Sequence, residues 1–277
     1  MTDRYAVIGN PIEQSKSPFI HTAFAQVTGQ DMAYTKLLAP LDGFAAVVDA
    51  FRASGGLGMN VTAPFKLDAF AYATDLAPSA QMAGAVNALK FEGGKVCAEN
   101  FDGVGLVRDL VHNLGCPLQG RRVLILGAGG ATRGALLPIL AQGPTEVVIV
   151  NRTVAKAQAL VRLAQQHQTA SVPVRGMGYG DLGGQAFDVV LNATSASLTA
   201  ELPPLPRSAF APACLAYELA YGKGLTPFLL LASQAGVTRL ADGVGMLAEQ
   251  AAEAFEWWRG VRPDTAAVIA QLTVPLV

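Results

Sequence analysis

The sequence has little with which to build disulfides, metal clusters or charge-driven contacts. Its three cysteines, Cys97, Cys116 and Cys214, are odd in number and far apart. That excludes a disulfide framework and a thiolate cluster, and it fits a reducing, cytoplasmic setting. Histidine is equally scarce: His21, His112 and His167 share no metal-ligand spacing, so no metal is expected. Only 15% of the 277 residues are charged, and 20 Lys+Arg against 21 Asp+Glu leave a net charge of −1. Without a basic excess to neutralise phosphates, nucleic acid is excluded as a partner. No apolar run reaches the roughly 18–20 residues that span a bilayer, so no membrane partner is expected. Met1-Thr2-Asp3-Arg4 leads straight into a short apolar run with no signal-peptide pattern. Internal repeats and low-complexity tracts are also missing. What is present is a 51% hydrophobic chain, too apolar for disorder and long enough for two domains.

Short apolar runs alternate with amphipathic stretches throughout. Residues 5–8 read as a buried strand broken at Gly9-Asn10-Pro11, and residues 18–27 as a helix ending near Gly29. A strand at 33–38, a helix at 42–53 and a short strand at 58–61 follow. Pro64 opens the next helix, where its missing N–H would have had no partner. Residues 87–91 and 95–98 flank Glu92-Gly93-Gly94 as a hairpin, and a helix over 104–114 stops at Gly115-Cys116-Pro117. From Arg122 a second series begins, with strands at 123–126, 146–150, 171–174, 187–191 and 214–218 and helices between the early ones. A long helix over 243–259 carries Trp257 and Trp258, which read as closing the core between domains. This alternation predicts an α/β fold with a doubly wound parallel sheet. One domain is placed at 1–102, with C-terminal helices 243–277 packing back onto it, and a nucleotide domain at 103–242.

The strongest local signal is the apolar strand 123–126 running into Gly127-Ala128-Gly129-Gly130-Ala131. Residues without a Cβ let the backbone approach a pyrophosphate, and the N-terminus of the helix that follows favours the anion. The last position of the usual Gly-x-Gly-x-x-Gly/Ala spacing is Thr132, so the fingerprint is imperfect, and a tight turn without ligand is the competing reading. The next strand separates the dinucleotides. An NAD site places a carboxylate after it for the ribose hydroxyls; here Asn151-Arg152-Thr153 follows, with Lys156 one turn on. Arg152 offers a planar, permanently charged fork to a 2′-phosphate, although an arginine also serves simply to open a solvated helix. The pattern predicts NADP rather than NAD.

The first half carries polar residues at strand ends. Ser15 and Ser17, ahead of a helix, can hold a carboxylate through their hydroxyls, with Ser17 as a plain N-cap the alternative. Lys66 follows Asn60-Val61-Thr62 and Pro64-Phe65, and is a candidate acid/base if burial lowers its pKa. Asp102, in Asn100-Phe101-Asp102-Gly103, can pair with Lys66 or cap a helix; Asn87 follows the small residues Gly84-Ala85-Val86.

In chain order these segments resemble the shikimate dehydrogenase family over nearly the whole chain. The match includes Asn10-Pro11-Ile12, Ser15-Lys16-Ser17-Pro18, Asn60-Val61-Thr62, Pro64-Phe65-Lys66, Gly84-Ala85-Val86-Asn87 and Asp102-Gly103. It continues with the glycine turn, Asn151-Arg152-Thr153, Asn192-Ala193-Thr194-Ser195, Tyr221, Thr226-Pro227-Phe228, Ala241-Asp242-Gly243 and Gly245-Met246-Leu247 with Gln250. The resemblance implies an N-terminal α/β substrate domain closed by C-terminal helices and a Rossmann domain for NADP. It further implies reversible hydride transfer between shikimate and 3-dehydroshikimate, in aromatic amino-acid biosynthesis, where donor and acceptor meet in a closing cleft.

By the same resemblance Lys66 and Asp102 are the catalytic pair, and Ser15 and Ser17 hold the substrate carboxylate. Asn60, Thr62, Asn87, Tyr221 and Gln250 meet the hydroxyls or frame the ring. Gly127, Ala128, Gly129, Gly130, Ala131, Asn151, Arg152 and Thr153 bind the cofactor, with Thr194, Leu219 and Gly243 near its nicotinamide. The chain departs from the family pattern at Phe101, where threonine is usual, and at Ala88, Leu219 and Ser197. These departures mark a divergent branch with weaker or shifted substrate use. Quinate or aminoshikimate dehydrogenases are the neighbouring readings, and a non-catalytic NADP-binding regulator is the remote one, which would normally lose Lys66 or Asp102.

Overall fold

In a computed structural model, which describes residues 2–167, 171–194 and 202–276, the chain divides into two units. One comprises Met1–Gly105 with Ala248–Val268, the other Leu106–Leu247 with Ile269–Val277. Ser195 and Ser197 lie outside the described residues. No described helix is long and apolar enough to cross a membrane, and the three cysteines are free thiols.

The first unit is built on β1 (Asp3–Gly9), α1 (Ser17–Thr28), β2 (Met32–Leu38), α2 (Phe44–Ala53), β3 (Gly56–Val61) and α3 (Lys66–Tyr72). After these come β4 (Asp75–Leu76), α4 (Pro78–Ala83), β5 (Ala88–Glu92) and β6 (Lys95–Glu99). Its sheet runs β2-β1-β3-β5-β6-β4. β1 pairs parallel with β2 and β3, whereas the β5–β6 hairpin joins antiparallel. Gly93 and Gly94 close that hairpin with φ of +58° and +79°, values that glycine adopts without a Cβ clash. α1 stops at Gly29 in the left-handed conformation, its N–H returning to the Ala25 and Gln26 carbonyls. Pro64 does not open α3; the helix starts two residues later, at Lys66.

Trp258 is also placed differently from the sequence expectation. It stacks on Tyr5 at 4.8 Å and donates its indole N–H to the Leu89 carbonyl at 3.1 Å, so it belongs to the first unit's own core. Trp257 packs edge-to-face on Phe101.

After α5 (Asp102–Arg108) the helix widens into one π-helical turn, Asp109–Asn113. The second unit then follows as β7 (Arg122–Leu126), α6 (Gly130–Leu140), β8 (Glu146–Val150), α7 (Val154–His167), β9 (Val174–Met177), β10 (Phe187–Asn192) and β11 (Phe210–Glu218). It ends in α8 (Pro227–Gln234) and β12 (Arg239–Asp242). All its strand pairs are parallel, in the order β12-β11-β10-β7-β8-β9. This is the doubly wound Rossmann order, and its direction reverses between β7 and β10. Successive residues of β7 go to opposite cores, Val123 and Ile125 to one and Leu124 and Leu126 to the other. Burial of both faces is what a parallel sheet requires, and it explains the continuous apolar runs. β9 starts at Val174 rather than Ser171, because Pro173 has no N–H to give the ladder.

The long helix α9 (Val244–Arg259) contains the boundary between the units, and α10 (Ala266–Leu272) follows it. The segment from Ile269 goes with the second unit, not with the first as expected, because Leu276 packs on that unit's Leu124 core.

Asp109, only 3% exposed, lies against the start of α9: a Cβ on Gly245 would sit 1.9 Å from its Oδ1. The carboxylate accepts from the Tyr217 hydroxyl at 2.7 Å and the Asn113 amide at 3.0 Å, and a helix N-terminus favours its charge. Burial first, and the carboxylate second, push the Tyr217 phenol far above its ordinary range. Replacing Tyr217 with Phe leaves a buried acceptor short of a donor and should cost about 1–3 kcal/mol. Urea unfolding monitored by circular dichroism reads this as a lowered midpoint; an unchanged midpoint would show that the phenol contributes nothing.

Candidate active and cofactor sites

Three element ends of the first unit converge on one carboxylate. Lys66 is the first residue of α3, Asp102 the first of α5, and Asn87 immediately precedes β5. Lys66 Nζ donates to Asp102 Oδ2 at 2.5 Å, and Asn87 Nδ2 donates to Asp102 Oδ1 at 2.9 Å. Asp102 is not the N-cap of its helix: Asn100 Oδ1 accepts the Asp102 amide, which leaves the Asp102 carboxylate to its two donors. The Lys66 side chain is 35% exposed and that of Asp102 20%. Asn87 is nearly spent as well, accepting the Phe101 amide at 2.9 Å and reaching Gln250 Oε1 at 3.4 Å. It acts as a strut under Asp102.

Ser17 opens α1 without capping it, and the Ser15 Oγ accepts the Ser17 amide at 3.3 Å. The two hydroxyls are 3.3 Å apart at a helix N-terminus, an arrangement that suits a carboxylate. Asn60, on β3, is 5% exposed and hydrogen-bonded to Tyr34, to His21 and to the Asn87 carbonyl. Thr62 follows β3 with its side chain half-buried. The Phe101 ring turns into the core beside Trp257 rather than standing alone.

In the second unit a cavity of about 410 Å³ lies at the C-terminal strand ends, lined by Gly127, Ala128, Gly129, Asn151, Arg152, Thr153, Lys156, Tyr179, Ala193 and Thr194, with Leu202–Pro204. Gly127 has φ +98°, and a Cβ there would press on Thr194 and the Ala193 carbonyl. A Cβ on Gly129 or Gly130 would meet only open space, as room for a ligand requires. Thr132, the irregular position of the fingerprint, is fully buried, and its hydroxyl turns back to the Gly127 carbonyl at 2.8 Å. Asn151 Oδ1 accepts the Ala128 amide, tying the turn to the end of β8. Arg152 and Lys156 are exposed along the same cavity.

Gly130 and Ala131 open α6 without lining the cavity. Leu219 and Gly243 meet each other elsewhere in the unit: a Cβ on Gly243 would clash with the Leu219 carbonyl at 2.1 Å. Tyr221, also in this unit, is 38% exposed beyond β11.

Two groups escaped sequence reasoning. Tyr179 follows β9, and its place beside β8 in the strand order was the available signal. Burial, the larger effect, raises the Tyr179 phenol, while Arg152 draws it down. Glu218 is fully buried and accepts from Asn192 Nδ2 at 2.8 Å and Thr226 Oγ1 at 3.2 Å. A carboxylate only accepts, so Asn192 turns its oxygen to the Thr194 hydroxyl at 2.7 Å and fixes that residue at the cavity wall.

Comparison with known proteins identifies the family. Family models match in three stretches: the shikimate dehydrogenase substrate binding domain over residues 7–89, shikimate/quinate 5-dehydrogenase over 109–200, and the shikimate 5′-dehydrogenase C-terminal domain over 243–273. A shikimate dehydrogenase (NADP(+)) of Chromobacterium violaceum is 56% identical over 98% of both chains. The crystal structure of an Ael1 enzyme from Pseudomonas putida is 62% identical, with a TM-score of 0.95 over 99% of this chain and 100% of that one. Shikimate 5-dehydrogenase from Thermus thermophilus, solved in complex with NADP(H) and shikimate, is 30% identical with a TM-score of 0.84 over 97% of both chains. With matched stretches covering most of its length and relatives of this identity, the chain belongs to the shikimate dehydrogenase family.

Proposed function

We propose that the protein catalyses the reversible, NADP-dependent interconversion of shikimate and 3-dehydroshikimate in the cytoplasm, as a step of aromatic amino-acid biosynthesis. The observation that carries this reading is the Lys66–Asp102 pair, 2.5 Å apart and braced by Asn87, in a unit built like the family's substrate domain. Oxidising a secondary alcohol removes a proton from oxygen and a hydride from carbon, and bound NADP⁺ supplies the hydride acceptor. In its neutral form Lys66 takes the hydroxyl proton on its amine lone pair and becomes the ammonium that Asp102 holds. In reduction, the same ammonium returns a proton to the carbonyl oxygen. Ser15 and Ser17 hold the substrate carboxylate, and Asn60, Thr62, Asn87 and Gln250 meet the hydroxyls or frame the ring.

Gly127, Ala128, Gly129, Gly130 and Ala131 receive the pyrophosphate, where backbone without bulk meets the start of α6. Asn151, Arg152 and Thr153 take the adenosine end. The 2′-phosphate falls to Arg152 with Lys156, and no carboxylate is among the described residues lining the cavity to repel it. Thr194, Leu219 and Gly243 serve the nicotinamide end.

Following absorbance at the NADPH band while shikimate and NADP⁺ are mixed tests the activity. Lys66→Met should lower kcat about 10²–10⁴-fold with NADP affinity unchanged, the scale of a lost acid/base. A variant that turns over normally would remove Lys66 from the chemistry. Arg152→Ala should raise the KM for NADP⁺ about tenfold or more while leaving NAD⁺ use unaltered, since charge-assisted hydrogen bonds are worth about 1.5–3 kcal/mol. Equal effects on both cofactors would place Arg152 outside phosphate recognition.

Phe101→Thr should raise kcat/KM for shikimate about threefold to tenfold, the value of one neutral hydrogen bond. The same change should lower the melting temperature, because the ring packs on Trp257. No kinetic gain with shikimate would show that Phe101 does not weaken shikimate use, and a selective loss with quinate would show that the ring serves quinate instead.

A further inference from the structure

His21 has no role in the mechanism above, yet it sits fully enclosed behind the substrate side of the first unit. It is 0% exposed and stacks on Tyr34 with ring centres 4.3 Å apart and planes 6° from parallel. Phe24 of its own helix and Phe255 and Trp258 of α9 complete the enclosure. Its hydrogen bonding can be read from the polarity of the groups around it. The Asn87 carbonyl accepts the Val61 amide at 2.8 Å and the Asn60 amide nitrogen at 3.3 Å. A carbonyl only accepts, so the NH₂ of Asn60 faces it, and Asn60 Oδ1 points the other way. There it takes the Tyr34 hydroxyl at 2.6 Å and faces His21 Nε2 at 2.9 Å.

An oxygen that only accepts requires the proton on His21 Nε2, so Nδ1 carries a lone pair. Nδ1 is buried and finds no hydrogen-bond partner among the described residues. Burial keeps the imidazole neutral by lowering its pKa to about 3, with the Asn60 hydrogen bond opposing. Tyr34 also has Ser17 as a hydrogen-bonding neighbour, so one buried pair of rings backs two residues of the proposed substrate site.

We infer that His21 is a positioning residue for substrate recognition: as the neutral Nε2–H tautomer it locks Asn60, with Tyr34, so that Asn60 meets the substrate only as an N–H donor. The substrate group at Asn60 is then an acceptor, a hydroxyl or carbonyl oxygen of the ring. This rests on the assignment of Asn60 to the substrate site, whereas the tautomer itself does not.

Two measurements test it. The first is nitrogen-15 NMR of labelled, ligand-free full-length protein, with the His21 signals assigned by their loss in His21→Gln. It should show the Nε2–H pattern, unchanged from about pH 5 to about pH 9, the range over which an ordinary histidine titrates. An Nδ1–H pattern, or titration within that range, overturns the inference without touching the catalytic assignment. The second is steady-state kinetics. His21→Phe keeps the stacked ring and loses the N–H, so the KM for shikimate should rise about threefold to tenfold with kcat nearly constant. His21→Gln, whose amide can reach the same oxygen, should restore most of the loss. An unchanged KM in His21→Phe, or a fall in kcat that Gln does not rescue, refutes the positioning role. Should His21→Phe fail to fold, the NMR measurement on the unaltered chain still decides the tautomer, and His21→Leu takes its place in the kinetic comparison with His21→Gln.

Discussion

The carboxylate of Asp102 is the point on which the first unit's site turns, because it accepts two donors delivered by different elements. A 2.5 Å contact to Lys66 and a 2.9 Å contact to Asn87 tie the starts of α3, α5 and β5 together. Neither donor alone fixes the carboxylate plane; together they do. Asn87 is in turn held by the Phe101 amide, and Asn100 frees Asp102 from capping duty. The Lys66–Asp102 pair is thus supported by neutral amides rather than by further charge. That suits a half-exposed site, where extra ion pairs would contribute little.

The second unit solves a different problem, holding a large anionic dinucleotide with few charges. Its parallel sheet gathers the C-terminal ends of β7, β8, β9 and β10, so residues far apart in sequence line one cavity. Backbone at the glycine turn and two basic side chains face outward there, and the buried Glu218–Asn192–Thr194 chain stiffens the wall from within. The same device recurs in both units: a group that can only accept dictates which way an asparagine amide turns. In the first unit that group is the Asn87 carbonyl, and in the second it is the Glu218 carboxylate.

Much of this was legible in the sequence, for a local reason. The glycine turn, Ser15 and Ser17, Lys66 and Asp102 all occupy strand ends or helix starts, where residue type is dictated by backbone geometry within a few positions. Strand runs were legible because both faces of a parallel sheet are apolar. What escaped depends on packing between distant positions. His21 lies 39 residues from Asn60, and Glu218 lies 26 from Asn192. In sequence, His21 is one more polar residue on an amphipathic helix. Tyr179 depended on knowing that β9 lies beside β8. Trp258 was misassigned because an aromatic residue at a domain boundary does not show which core it enters.

The central claim, that Lys66 and Asp102 act as one unit, is tested most directly by a double-mutant cycle. The measurement is kcat for shikimate oxidation in Lys66→Met, Asp102→Asn and the double variant. Groups that work as a unit are strongly non-additive. The double variant should therefore be no slower than the slower single variant; losses that multiply would show two independent contributions and contradict the account.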